Sequence, residues 1–181
     1  MARLVAGQFS LEVRYSFSNF LRNREYHVNV DITPAYRGRP LFSDAIREGG
    51  TLCLVSPWAC QLIPALDALK PDGVPQYAGY GEPNARITFT ACDGLHVMVD
   101  LDLHESVFWC DDESGIQGVR LLMEPDWPAV RAFHAELRTE FKAMALDCSL
   151  WQIISSDTDP WCQPTPEFLA DMDWVRQLVE A

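Results

Sequence analysis

Residues 94–106, GLHVMVDLDLHES, alternate apolar and polar side chains: Leu95, Val97, Val99, Leu101 and Leu103 hold the odd positions, and His96, Met98, Asp100, Asp102 and His104 the even ones. Successive side chains of a strand point to opposite faces, so this run predicts a half-buried strand. Its apolar set lies inward and Asp100, Asp102 and His104 face solvent. Slipping the register by one residue would exchange the two sets, which ties this strand to one orientation on a core.

The same period recurs elsewhere. FSLEVRYSF places Phe9, Leu11, Val13, Tyr15 and Phe17 on one side, and REYHVNVDIT repeats the pattern with Tyr26, Val28, Val30 and Ile32. Two such runs in succession predict a meander. ITPAYRGRPLF, with two prolines and a glycine, interrupts it, and the short apolar TLCLV reads as a central strand. SPWACQLIPALDALKPDG then reads as a helix capped by Ser56, with Pro57 in its first position and a bend at Pro64. The loop GVPQYAGYGEPNA is too rich in glycine and proline for a regular element.

ARITFTA and LHVMVDLDLH flank Asp93-Gly94, a tight hairpin signal, and QGVRLLM adds another strand. A long helix follows in DWPAVRAFHAELRTEFKAMAL. Asp126 is its cap, Trp127, Val130, Phe133, Leu137, Phe141 and Met144 form its buried stripe, and Arg131, Glu136, Arg138, Glu140 and Lys142 its solvated side. A last helix, capped by Thr165, ends the chain. Grouped strands followed by helices predict an α+β domain: one mainly antiparallel sheet of about six strands with two or three helices on one face. A chain of 181 residues, 48% hydrophobic, suits a single domain, with residues 146–181 a helical extension docked on it.

The net charge of −12 is unevenly spread. Residues 1–47 hold seven arginines against four acids, a net of +3. Residues 93–126 hold nine acids against Arg120, a net of −8, and residues 157–181 six against Arg176, a net of −5. Such a surface repels nucleic acid and suits solubility or a basic protein partner. No apolar run approaches the roughly 20 residues needed to cross a bilayer, and the start lacks the pattern of a signal peptide, so a cytoplasmic chain is expected.

The six cysteines are scattered without a C-x-x-C, which favours free, buried thiols, Cys53, Cys92 and Cys148 among them, over structural zinc. Cys60 lies near a helix start but in an apolar setting that gives a nucleophile little support. Phosphate-loop, dinucleotide, zinc-protease and serine-elbow motifs are absent. The even face of residues 94–106 is therefore the candidate for chemistry. Asp100, Asp102 and His104 would hold a metal only with ligands from a neighbour, such as Asp111 or Glu113. Read as a binding surface, the same face continues into Trp109, Asp111, Asp112 and Glu113, where an aromatic beside acids has the composition of an anchor with a charged rim. Phe108 is read as continuing the core face.

The N-terminal alternating strand, the YHVNVDI strand, LVSPWACQLIPALDAL, the paired strands and the helix DWPAVRAFHAELRTEF resemble, over about residues 8–145, the WapI-like immunity proteins of bacterial toxin systems. The resemblance implies a non-enzymatic protein, without cofactor, that binds and blocks a cognate protein toxin. Its partner would be a basic nuclease domain in many such systems, met through Asp100, Asp102, His104, Trp109, Asp111, Asp112 and Glu113. Two other readings stay open: a metal-dependent hydrolase using Asp100, Asp102 and His104, and an acidic DNA-mimicking inhibitor of a nucleic-acid enzyme.

Overall fold

In a computed structural model, residues 1–20, 25–42, 52–56, 62–81, 84–104 and 118–147 are described, together with the isolated helical positions Gln177 and Glu180. The chain is α+β, and its strands divide into two antiparallel sheets rather than one. The first contains β1 (Ala2–Ala6), β2 (Phe9–Phe20), β3 (Glu25–Tyr36), β4 (Arg39–Pro40) and β5 (Leu52–Ser56). β4 and β5 follow each other along the same edge of β3, so this sheet is four strands wide. The second runs in sequence order through β6 (Gln76–Gly81), β7 (Asn84–Ala91), β8 (Val97–His104) and β9 (Gly118–Met123).

Several differences from the sequence reading have local causes. β3 runs through Pro34, where an interruption was expected. The Pro34 carbonyl accepts the Leu41 amide at 2.9 Å, and Pro34, which has no N–H to return that bond, falls at the junction between β4 and β5, where the pairing of β3 passes from one short strand to the next. The residues of TLCLV from Leu52 onward do form β5, which among the described residues pairs with β3 alone and so lies at an edge and not at a sheet centre. Ser56 is the last residue of that strand, and the helix start expected at Pro57 lies outside the described residues. The described helix, α1 (Leu62–Ala68), holds Pro64 in its first turn, where the missing donor has no intrahelical acceptor to lose and no bend is required.

The glycine-rich segment taken for a loop supplies β6, whose register with β7 runs from Gln76↔Phe89 to Gly81↔Asn84. Pairing with a well-formed neighbour outweighs its weak strand propensity. Cys92, expected in the core, is an exposed thiol because it lies just past the end of β7. The side chains of Cys53 and Tyr26, residues 57–61 with Trp58 and Cys60, and the helix expected from Thr165 lie outside what is described, apart from Gln177 and Glu180.

The helices exchange sheets. α1, which follows the first sheet, packs on β6 and β7, whereas α2 (Trp127–Asp147), which follows the second, packs on β1 and β2. Asp126 caps α2 by accepting the Ala129 amide at 2.8 Å, as its sequence predicts. Phe133, Leu137 and Phe141 are fully buried, and Phe141 meets Tyr15 of β2 edge-to-face at 5.3 Å. These side chains join Leu4, Leu11 and Val13 of the first sheet and Ile87, Phe89, Val99 and Leu101 of the second in one apolar cluster. Burial contributes about 1.5–3 kcal/mol for each large side chain. No described helix is long and apolar enough to cross a membrane.

The polar side of α2 is less solvated than its charge suggests. Glu136 accepts the Arg3 amide at 2.9 Å, closing an open donor on edge strand β1. Glu140 is mostly buried and meets the Met1 ammonium. Arg138 donates to both oxygens of Asp67 on α1, at 3.0 and 3.2 Å, tying the two helices together. His134 Nε2 lies 3.0 Å from Asp67 Oδ1 but is poorly aligned for a hydrogen bond. Burial pushes the His134 pKa below the usual imidazole value; Asp67 opposes this and Arg138 reinforces it.

Two measurements check this packing. Phe133→Ala should lower unfolding free energy by about 3–5 kcal/mol in denaturant titration, because α2 cannot collapse into the space left between the sheets. His134 binds its proton more weakly folded than unfolded, so its contribution is complete above the unfolded imidazole value and is lost as pH falls below it toward the folded one. Melting temperature should fall over that interval, and His134→Gln should flatten the slope.

Candidate functional site

The turn that delivers β8 is set by Asp93. Its carboxylate accepts the amides of Leu95 and His96 at 2.8 and 2.6 Å, and these bonds hold its pKa below the usual carboxylate value. The connection is wider than a two-residue hairpin: Ala91 pairs with Val97, and residues 92–96 form the loop. Leu95, expected in the core, therefore sits in the loop at 69% exposure. From Val97 onward the predicted phase holds, with Val97, Val99, Leu101 and Leu103 all buried.

The opposite phase forms the outer face of the second sheet, and the register fixes its neighbours. One row across the strands is Tyr77, Thr88, Asp100 and Leu122; the next is Gly79, Arg86, Asp102 and Arg120. Arg86 donates to its direct neighbour Asp102 at 3.1 Å. Arg120, opposite Asp102, reaches diagonally to Asp100, with Nε at 2.8 and 3.0 Å from the two carboxylate oxygens and Nη2 also bonded to Oδ2. Asp100 and the charge of Asp102 both strengthen the proton's hold on Arg120, the Asp100 hydrogen bonds most of all, raising its pKa.

This geometry corrects the expectation for Asp100. It is buried, at 7% exposure, because the Arg120 guanidinium lies over it; Asp102 is half-buried and His104 exposed. Among the described residues the face is thus no acidic plate. Two arginines balance the two aspartates, and each carboxylate already has a charged partner. Beside them, Arg86, Asp102, His104, Val119 and Arg120 line a shallow open depression of about 520 Å3. Gly118, opposite His104 with φ of 137°, leaves its end without a side chain.

Among the described residues no three His, Cys, Asp or Glu side chains gather as metal ligands would. The structure brings Asp100, Asp102 and His104 onto one strand face but surrounds the aspartates with guanidinium groups. Trp109, Asp111, Asp112 and Glu113, with Phe108, lie outside the described residues. Sequence reasoning missed Arg86 and Arg120 as counter-charges and Tyr77 and Leu122 as exposed apolar neighbours. Arg86 and Arg120 do stand in the polar phase of their own runs, but pairing them with particular aspartates needs the cross-strand register.

No known protein family and no curated protein matches the chain. Among solved structures it is similar to the plant transcriptional regulator PBF-2, with a TM-score of 0.47 and 12% identity over 96% of this chain and 92% of that one.

The ion pairs give a direct test. Arg120→Ala should lower the melting temperature because it leaves the buried Asp100 carboxylate without its counter-charge, whereas Asp102→Asn, at a half-buried position whose ion pair with Arg86 is open to solvent, should change it less. Adding Asp100→Ala to Arg120→Ala should recover part of the loss, since the double variant removes the uncompensated charge. A double-mutant cycle by thermal melting measures the coupling.

Proposed function

We propose that this chain is a non-catalytic binding protein that captures and neutralises a cognate protein toxin, using the outer face of the β6–β9 sheet. The observation that carries this reading is the row Tyr77, Thr88, Asp100 and Leu122: its outer members are 69% and 57% exposed, and the Asp100 carboxylate between them is already compensated by Arg120 of the next row. Exposed apolar side chains on a rigid sheet, set around charges held in place, match the make-up of a protein-binding patch. Catalysis by Asp100 and Asp102 has less support, because an arginine already engages each carboxylate.

Tyr77 supplies a large contact area at low entropic cost, and Leu122 gives the opposite end of the row an apolar contact. Arg86, Asp102, Arg120 and His104 form a rim of both signs, which calls for a partner surface that is also mixed at this point. The overall charge of −12 acts over a longer range, speeding encounter with a basic toxin and discouraging nucleic acid. Neutralisation then follows from occupancy of the toxin's working surface, as the resemblance to WapI-like immunity proteins implies.

On this reading the first ligand to test is the product of the reading frame adjacent to the one that encodes this chain. The chain should bind it in isothermal titration and protect cells that express it. Tyr77→Ala with Leu122→Ala should weaken the complex by about 2 kcal/mol or more and reduce protection, while melting temperature stays nearly constant because both side chains are exposed. Failure of the unaltered chain to bind or protect would overturn the toxin reading, whereas full protection by the double variant would remove the interface from this face.

A further inference from the structure

At one end of the first sheet two turns lie side by side. The β2–β3 register places Phe9 opposite Tyr36, which brings the Gly7-Gln8 turn against the Arg37-Gly38 turn. Arg37 donates its amide to the Gln8 carbonyl at 2.8 Å and its Nε to Gln8 Oε1 at 2.6 Å. Its guanidinium lies 5.3 Å from the centre of the Tyr36 ring, and that ring lies 4.9 Å from Phe9. Phe9 is 40% exposed and Tyr36 37%, although both belong to the core-facing phase of their strands. Arg37 and Arg39 are exposed beside them.

Two features of this tip exceed what a hairpin connection needs. Arg37 has φ of 51° and Gly38 of 74°, a two-residue turn whose first position favours Asn, Asp or Gly. A long cationic side chain is kept there in the left-handed region, held by Gln8 and Tyr36. In addition, residues 4–10 and 33–42 contain no Asp or Glu, in a chain with 26 of them. The tip is a locally basic, aromatic surface on an acidic protein.

We infer that this tip docks an acidic segment of a partner protein, with carboxylates meeting Arg37 and Arg39 and an apolar side chain resting on Phe9 and Tyr36. Guanidinium and carboxylate are matched in shape and charge, and the bonds to Gln8 and Tyr36 pre-order Arg37 so that less freedom is lost on binding. Nucleic acid fits less well, because its affinity comes from neutralising many phosphates and the tip offers two cations on a strongly anionic chain. The site lies on a different sheet from the Tyr77–Leu122 row and does not depend on what that row binds.

The test is a backbone amide NMR titration of the full chain with a short peptide carrying aspartates on both sides of a phenylalanine. The asparagine counterpart and oligo-thymidine serve as comparison ligands. The acidic peptide should shift the amides of Gln8, Phe9, Arg37 and Gly38 in a saturating, salt-sensitive manner, and the asparagine peptide should bind more weakly. Arg37→Gln with Arg39→Gln should weaken the acidic peptide by about tenfold or more while the remaining spectrum shows an intact fold. Absence of saturating shifts at these amides, or equal binding of the asparagine peptide, would overturn the inference. Tighter binding of oligo-thymidine at the same amides would replace it with a nucleic-acid surface.

Discussion

Phe133, Leu137 and Phe141 enter the molecule on a helix that belongs, in sequence, to the second sheet, and lose their solvent contact largely against the first. α1 makes the reciprocal crossing, from the first sheet to β6 and β7. Among the described residues each helix packs mainly on the sheet formed by the other half of the chain. Burial of each sheet depends on an element from the other half of the chain, and the Asp67–Arg138 pair joins the two crossing helices at their contact. This mutual covering gives both outer sheet surfaces a rigid backing.

On that backing the β6–β9 face carries its charges as two cross-strand ion pairs. Asp100 lies in the polar phase of β8 yet is buried, a position that would be costly without its guanidinium partner. Arg120 compensates it from the neighbouring strand. The outer face among the described residues is then a nearly neutral lattice edged by Tyr77 and Leu122. Chemistry at these carboxylates would first require an arginine to leave; recognition of a surface requires only that the lattice stay as it is.

The first sheet presents a different kind of surface. There residues 4–10 and 33–42 carry no acid beside Arg37 and Arg39, and the aromatic pair lies at a sheet end with Phe9 and Tyr36 partly exposed. The two surfaces share a logic of exposed rings beside guanidinium groups but differ in electrostatics. A partner of mixed polarity suits the face, and an acidic segment suits the tip.

The sequence by itself determined the strands with clean alternation, the capped helix from Trp127 and its buried stripe, and the phase of β8 from Val97 to Leu103. Each of these follows from a local period or a cap that neighbours in sequence can satisfy. Only the tertiary structure decided that the strands form two sheets, that the glycine-rich segment around Tyr77 pairs as β6, and that the helices cross between halves. It also decided the meaning of the acidic strand face. Aspartates at alternate positions show which way they point, but whether they are free ligands, an acidic plate or one half of a salt-bridge lattice depends on Arg86 and Arg120, brought opposite them by cross-strand register between residues 16 to 20 positions apart.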